Sequence, residues 1–380
     1  MNSTLGKDTM MNIKEKHDIK VGIITYHNAS NYGAVLQAYA LQEAIKKITS
    51  NVEIIDYDNR FITKGLDLIR VGTSIREIYY TLSDILNYKN RSEKIRRFRE
   101  FFRDYYNLSL RVTKNELLSG KLHYDVGVSG SDQIWNPALA GDVDPIYLLN
   151  FPGISKKISY ASSLGAYHFD DEKENENIKK YLSEYEQVSV RDNPEKLANL
   201  LGRKVLNHCD PTLLLSKEEW KNKLSITEKK ESYILVYCLT DFDRVISLAL
   251  QIGKTKGIRV KVIGDTPAKK RGVDYITDAG PKEFVSVLYN AEYVITNSFH
   301  GTVFAANFGI PFISIRNEHS PERAAAFMKE INAECRLLTV EEDDKVIINL
   351  DKVFNYENII GEKREMAMKY LGASIFDYYD

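Results

Sequence analysis

The sequence predicts an α/β protein built from two doubly wound, Rossmann-like domains facing across a cleft, with a helical insertion in the first. Three observations predict it. Short runs rich in Val, Ile and Tyr recur along the chain and alternate with stretches of helical length, the mark of βαβ units. The alternation pauses once, at the charged stretch Lys217–Lys230, and restarts at Tyr233. A length of 380 residues suits two domains, at roughly 150 residues each, and each half is large enough to bury its own core. The expected divisions are a flexible extension over 1–18 and a first domain over 19–216 with an insertion near 66–106. A linker over 217–232, a second domain over 233–350 and a C-terminal helical segment over 351–380 packing at the domain junction follow.

The first domain opens with the strand Lys20–Tyr26, a polar loop (His27–Gly33), the helix Ala34–Ile48 and the strand Val52–Tyr57. Leu66–Tyr106 differs: it is helical and highly charged. Its basic residues Lys94, Arg96, Arg97, Arg99 and Arg103 are interleaved with Glu93, Glu100 and Asp104, so a solvated helix face outweighs a nucleic-acid grip. The sheet resumes at Tyr124–Val128 and continues through Lys157–Gly165, Gln187–Val190 and Val205–Cys209, with helices over Glu174–Tyr185 and Pro194–Leu201. The second domain alternates the strands Tyr233–Cys238, Arg259–Ile263, Tyr293–Thr296 and Phe312–Ile315 with the helices Phe242–Lys254, Lys282–Asn290, Val303–Phe308 and Ser320–Met328. A terminal helix spans Gly361–Tyr370.

Composition narrows the function. Fifty-two basic and 53 acidic side chains leave a formal charge of −1, which disfavours nucleic acid as a partner but permits small anions held by local positive groups. The three cysteines, Cys209, Cys238 and Cys335, lie far apart, signalling neither a disulfide framework nor a thiolate metal centre, and fit a reducing cytoplasm. The histidines show no compact ligand spacing, so no metal is expected. No apolar run is long enough to span a bilayer, and the polar opening Met1–Asp18 lacks a signal core.

Polar residues collect where strands pass into helices, the positions at which an open α/β sheet presents side chains and amides to a ligand. Asn28, Asn31 and Gly33 form one such turn; they suit an oxygen-rich or anionic ligand, and equally suit turn formation and capping. In Gly130–Asn136, Trp135 offers an aromatic face to a sugar ring beside the hydrogen-bonding Ser131, while Asp132 is placed to accept a hydroxyl proton; the alternative is a loop that plugs the core. Arg191 offers a forked cation to a carboxylate or phosphate, with an ion pair to Asp192 as its structural alternative. Asn297, Ser298, Gly301 and Thr302 surround His300, a pattern that reads as an anion cradle with an imidazole able to move a proton. There the alternative is a capping serine and a histidine filling a polar turn.

The stretches "NASNYGAVLQAYAL", "VGVSGSDQIWNP", "KISYASSLG", "VSVRD", "CDPTLLL" and "AEYVITNSFHGTVFAANFGIPFISI", in this order, resemble the polysaccharide pyruvyl transferase family over about residues 20 to 316. The resemblance implies two Rossmann-type domains in the arrangement called GT-B. It implies transfer of a pyruvyl group from phosphoenolpyruvate to a sugar or lipid-linked oligosaccharide, usually as a ketal. The donor would lie on the C-terminal domain and the acceptor largely on the N-terminal one, in the cytoplasm or at the inner face of the membrane. The family's histidine maps onto His300, as general acid or as donor-phosphate contact, and its asparagine-glycine loop onto Asn31-Tyr32-Gly33. Gly130-Ser131-Asp132-Gln133 and Ser298-Phe299 depart from relatives that carry a longer glycine run and an arginine before the histidine. Arg191 is then expected on the donor and Asp132 as base, with no cofactor. A nucleotide-sugar glycosyltransferase of the same architecture and a non-catalytic carbohydrate-binding protein are the competing readings.

Overall fold

The computed structural model describes residues 19–140, 143–165, 167, 169–229, 231–266, 269–317, 321–338 and 355–376. The expected extension over 1–18 and residues 339–354 lie outside them. The described residues fall into two compact units: those within Met1–Gly65, Asp104–Leu214 and Lys363–Asp380, and those within Leu66–Arg103 and Leu215–Glu362.

In the first unit, strands β1 (Val21–Ile24), β2 (Val52–Ile54), β3 (Tyr124–Ser129) and β4 (Ile154–Ser159) form a parallel sheet in the order β2-β1-β3-β4. Parallel bridges Ile158 to Gln187 and Ser162 to Val190 carry it on to β5 (Ser189–Val190), which pairs with β6 (Leu206–Asn207). Parallel sheets need both faces covered, and β1 is buried at every position. Helix α1 (Tyr32–Ile45) is buried along its entire length, consistent with its near-uniform apolar composition. The strand order reverses between β1 and β3. In a doubly wound sheet that reversal opens a crevice beyond the strands' carboxyl ends.

The insertion is helical, as the sequence predicts, forming α2 (Ile75–Leu86) and α3 (Tyr88–Tyr105). Its packing differs from expectation. It interrupts the first unit in sequence, yet residues 66–103 group with the second. Polar contacts explain why. Asn90 donates to Thr277 Oγ1 at 3.0 Å, Lys94 pairs with Asp265 at 3.1 Å, and Arg97 pairs with Asp278 at 3.2 Å. Charges that read as a solvated face are in part the insertion's anchors.

Between α3 and the second sheet come α4 (Glu172–Leu182), α5 (Pro194–Leu201) and α6 (Lys217–Lys223). The stretch expected as a linker begins with α6, closed by a reciprocal Ser216–Glu219 capping box that places Trp220 in full burial. Strands β7 (Tyr233–Tyr237), β8 (Arg259–Ile263), β9 (Val273–Ile276), β10 (Tyr293–Thr296), β11 (Phe312–Ile315) and β12 (Leu337–Leu338) make a parallel sheet in the order β9-β8-β7-β10-β11-β12. Counted from its own first strand this is 3-2-1-4-5-6, the dinucleotide-fold order, with its reversal between β7 and β10. Helices α7 (Phe242–Lys256), α8 (Pro281–Tyr289), α9 (Phe299–Asn307) and α10 (Pro321–Glu330) connect these strands. Phe304 of α9 lies edge-on to Trp220 at 5.2 Å and to Phe284 of α8 at 6.1 Å. Burying each such ring is worth roughly 1.5–3 kcal/mol, so α9 is held by packing and not by its short length.

The last helix, α11 (Glu357–Phe376), joins the first unit from Lys363 onward. There Arg364 Nε donates to Leu213 O and Tyr370 Oη to Ser159 O, both at 2.7 Å.

Candidate functional site

The polar turns singled out in the sequence lie at the carboxyl ends of the strands flanking each reversal. In the second unit β10 ends at Thr296, whose Oγ1 donates to Tyr237 O at 2.5 Å and accepts from Ser298 N at 3.0 Å. Asn297 ties the reversal together: its Oδ1 accepts from Leu239 N at 2.8 Å and its Nδ2 donates to Thr240 O at 2.6 Å, joining the loops after β10 and β7. Ser298 is the N-cap of α9, accepting from Gly301 N at 3.4 Å. Thr302 turns inward, donating to Ser298 O at 3.1 Å and sharing a hydrogen with Ser314 Oγ at 2.9 Å. A Cβ at position 301 would collide with the Thr296 hydroxyl, so only glycine lets the helix start this close to the strand.

His300 therefore stands in the first turn of α9, not in a loop before it as the sequence suggested, because the Ser298 cap starts the helix at Phe299. Its ring lies edge-on to Phe299 at 5.2 Å and the residue keeps 8% of its surface exposed. The expected cradle of side chains is corrected. Asn297, Ser298 and Thr302 spend their polar atoms on the fold, so what they present is the position of the helix's N-terminal amides and of His300. A helix N-terminus carries a partial positive charge suited to an anion.

In the first unit Asn31 is the exposed N-cap of α1, its Oδ1 accepting from Ala34 N at 3.2 Å, and Gly33 is buried in the same first turn. Asn28 reaches Tyr57 O at 3.5 Å, a marginal bond. Across the reversal, Ser131 is fully buried; its carbonyl accepts from Thr25 Oγ1 at 2.8 Å, and that hydroxyl in turn accepts from Gln37 Nε2 at 2.8 Å. Asp132 adopts a left-handed backbone with φ 73°, which Asp tolerates, and its Oδ1 accepts from Gln133 N at 2.9 Å. It remains partly exposed. Tyr26 Oη, Gln37 Oε1 and Ser131 Oγ are buried and make no hydrogen bond among the described residues. Neither Tyr26 nor Gln37 was signalled by the sequence; the polar end of β1, Thr25 to His27, is the one clue.

Two expectations fail here. Trp135 is not a sugar platform. It is 2% exposed, donates Nε1–H to Ser129 Oγ at 2.9 Å and packs edge-on against Tyr185 at 6.2 Å, so it is the core plug of the alternative reading. Arg191 is not an open clamp. Its Nη1 donates to Asp210 Oδ2 at 2.6 Å and its Nε lies 3.7 Å from Asp192, all in a buried setting. Burial alone would pull its guanidinium down, and Asp210, Asp192 and Asp132 more than offset that, holding it above its ordinary value. Asp192 also accepts from Ser163 Oγ at 2.8 Å, and Ser163 N donates to Asp132 O at 3.0 Å. Arg191 thus organises the carboxylates around the Asp132 loop.

Within the second unit a cavity of about 370 Å³ opens between the insertion and the ends of β8 and β9, lined by Arg70, Arg91, Lys94, Asp265 and Tyr80 among others. Three of its cations are committed internally: Arg70 and Arg91 to Asp84, and Lys94 to Asp265. No group of acidic, histidine or cysteine side chains among the described residues is arranged to hold a metal.

Two Rossmann-like parallel sheets, one in each unit and each with polar turns at its strand reversal, define a doubly wound α/β protein. The chain belongs to the polysaccharide pyruvyl transferase family, which it matches over residues 31–319. Its fold is similar to a UDP-GlcNAc 2-epimerase from Neisseria meningitidis solved with UDP-GlcNAc, at 12% identity and a TM-score of 0.54, covering 95% of this chain and 100% of that one. It is also similar to a UDP-N-acetylglucosamine 2-epimerase from Rickettsia bellii, at 13% identity and a TM-score of 0.50, covering 95% and 96%. At these identities the likeness is one of fold. No curated protein sequence matches the chain.

Proposed function

We propose that the protein transfers the pyruvyl group of phosphoenolpyruvate to hydroxyls of a sugar in a surface polysaccharide or its lipid-linked precursor, closing a ketal. The observation that carries this reading is the family match over residues 31–319, which includes the Asp132, Arg191 and His300 turns. The placement of His300 supports it: an imidazole in the first turn of α9 sits beside amides suited to an anionic donor. In this reading His300 protonates the donor's methylene carbon, turning it into a methyl group, or holds the donor phosphate. A sugar hydroxyl adds to the central carbon as Asp132 takes its proton. A second hydroxyl then displaces phosphate, its proton leaving with that group. Arg191 supports the Asp132 loop; direct contact with the donor is withdrawn.

A second reading has support of its own. The 3-2-1-4-5-6 order of the second sheet is the order that carries dinucleotides at its reversal, and the similar solved fold holds UDP-GlcNAc. A nucleotide-sugar enzyme would place its diphosphate at the same α9 terminus.

One experiment separates them. The purified protein is incubated with phosphoenolpyruvate or with UDP- and ADP-sugars, against a panel of lipid-linked and free saccharides, while phosphate release and product mass are followed. Phosphate release with a pyruvyl ketal mass increment is expected; consumption of a nucleotide-sugar alone rejects the first reading. His300→Ala is expected to lower transfer by at least 10²-fold with an unchanged unfolding midpoint. Unchanged turnover removes His300 from the chemistry.

A further inference from the structure

Helix α2 (Ile75–Leu86) is folded inside out. Ile75, Ile78, Tyr79, Leu82, Ile85 and Leu86 occupy about a 120° arc at 100° per residue. Their exposures run from 49% at Ile78 to 90% at Ile75. On the opposite side Asp84 is 3% exposed and clasped by Arg70 through Nε at 2.9 Å and Nη2 at 2.6 Å, with Arg91 at 3.3 Å. Thr81 donates to Arg70 O at 2.6 Å on that inner side. A helix docked on a protein core buries its apolar arc and shows its charge; here an ion-paired carboxylate fixes the helix with the apolar arc outward. Tyr88, 49% exposed, follows two residues after the helix ends. An exposed apolar row of this extent marks an interaction surface.

The charge around the row selects its occupant. Residues 66–103 carry nine Lys and Arg against five Asp and Glu; with Lys94 and Arg97 answered by Asp265 and Asp278 from outside the segment, an excess of +2 remains in a chain whose total is −1. Lys89, Arg99 and Arg103 are exposed. An apolar helical face on an insertion with a net positive charge and exposed cations fits the interface of an anionic bilayer, with the apolar side chains in the acyl boundary and the cations at the headgroups. We propose that α2 is a membrane-docking helix that seats the protein on an anionic lipid surface. The proposal stands on α2 alone and is independent of which donor the enzyme uses.

The test is sedimentation of the full-length protein with sucrose-loaded vesicles of phosphatidylglycerol and phosphatidylcholine, and with phosphatidylcholine vesicles alone. The wild type is expected to bind the anionic vesicles, at least tenfold more weakly in 0.5 M salt, with little binding to phosphatidylcholine. Ile78→Glu/Leu82→Glu is expected to lower anionic-vesicle binding at least tenfold with an unchanged thermal midpoint, since both side chains are exposed. Lys89→Glu/Arg99→Glu should lower it by a smaller factor and flatten the salt dependence. Failure of the wild type to bind, or equal binding by the apolar variant, overturns the proposal. So does a concentration-dependent dimer, seen by analytical ultracentrifugation without vesicle binding and abolished by Ile78→Glu/Leu82→Glu; it would assign the face to a second copy of the chain.

Discussion

Arg191 and Asp210 carry the sharpest residue-scale consequence. Both are buried, and the 2.6 Å contact between them offsets a desolvation cost that neither could meet alone. Asp210→Asn keeps the shape and removes the charge. It should destabilise the first unit by about 3 kcal/mol in urea unfolding, because a buried guanidinium loses its nearest carboxylate. Asp132→Asn removes a partly exposed carboxylate and should cost under about 1 kcal/mol by the same measurement, while abolishing whatever proton transfer Asp132 performs. The sequence marked Arg191 through its place at a strand end. It could not show that Asp210, 19 positions away, would claim the guanidinium, since ion-pair partners are set by tertiary packing.

At the scale of an element, the C-terminal helix is held by a stack of rings. His208 meets Tyr160 at 6.0 Å and Tyr370 of α11 at 4.3 Å, the two tyrosines themselves lying 6.4 Å apart, with Nδ1 2.8 Å from Ser189 Oγ. Burial lowers its pKa from the ordinary 6.5 to about 4. A group lowered in the folded state resists a proton that the unfolded chain accepts, so stability is full above pH 6.5 and falls as pH drops toward 4. The loss by pH 4 is on the order of 2–3 kcal/mol. His208→Phe keeps the stack and removes the titration; the stability gap between variant and wild type, from urea midpoints, should shift in the variant's favour across that window and be constant above it. Element identity was readable where the period was strong: α1, β7 and β10 lie close to where their apolar patterns placed them. Strands β9 and β12 were missed. The first has no fully buried side chain and an exposed Asp274, and the second is two residues long, so neither leaves a strong hydrophobic pattern.

Across the whole molecule, neither unit is continuous in sequence. The first needs residues from beyond Lys363 and the second takes its insertion from within the first. Truncation after Glu362 removes the buried Ala367, Leu371 and Ile375 together with the Tyr370 bond to Ser159. Amide hydrogen exchange should then accelerate in β3 and β4 while β10 and β11 keep their protection, if the units open separately. Equal acceleration in both sheets would show that they unfold as one. A division of the chain near residue 216 can be read from the sequence because the restart of alternation at Tyr233 is a local pattern. What that local pattern does not carry is the burial of Trp220 of α6 against Phe304, which joins residues 84 positions apart.

The sequence alone determined the α/β class, the two Rossmann-like sheets and the family, and it marked the polar turns at strand ends, because hydrophobic period, strand-end polarity and the ordered family motifs are written along the chain. Only the tertiary structure decided which side chains in those turns are spent on the fold, that Trp135 is core, that the insertion packs with the second unit, and that α2 shows its apolar face outward. These depend on pairings between distant residues, Asp84 with Arg70 and Arg91, Arg191 with Asp210, Asn297 with Leu239 and Thr240. Burial and hydrogen-bond partnership are properties of the packed chain, and no local pattern encodes them.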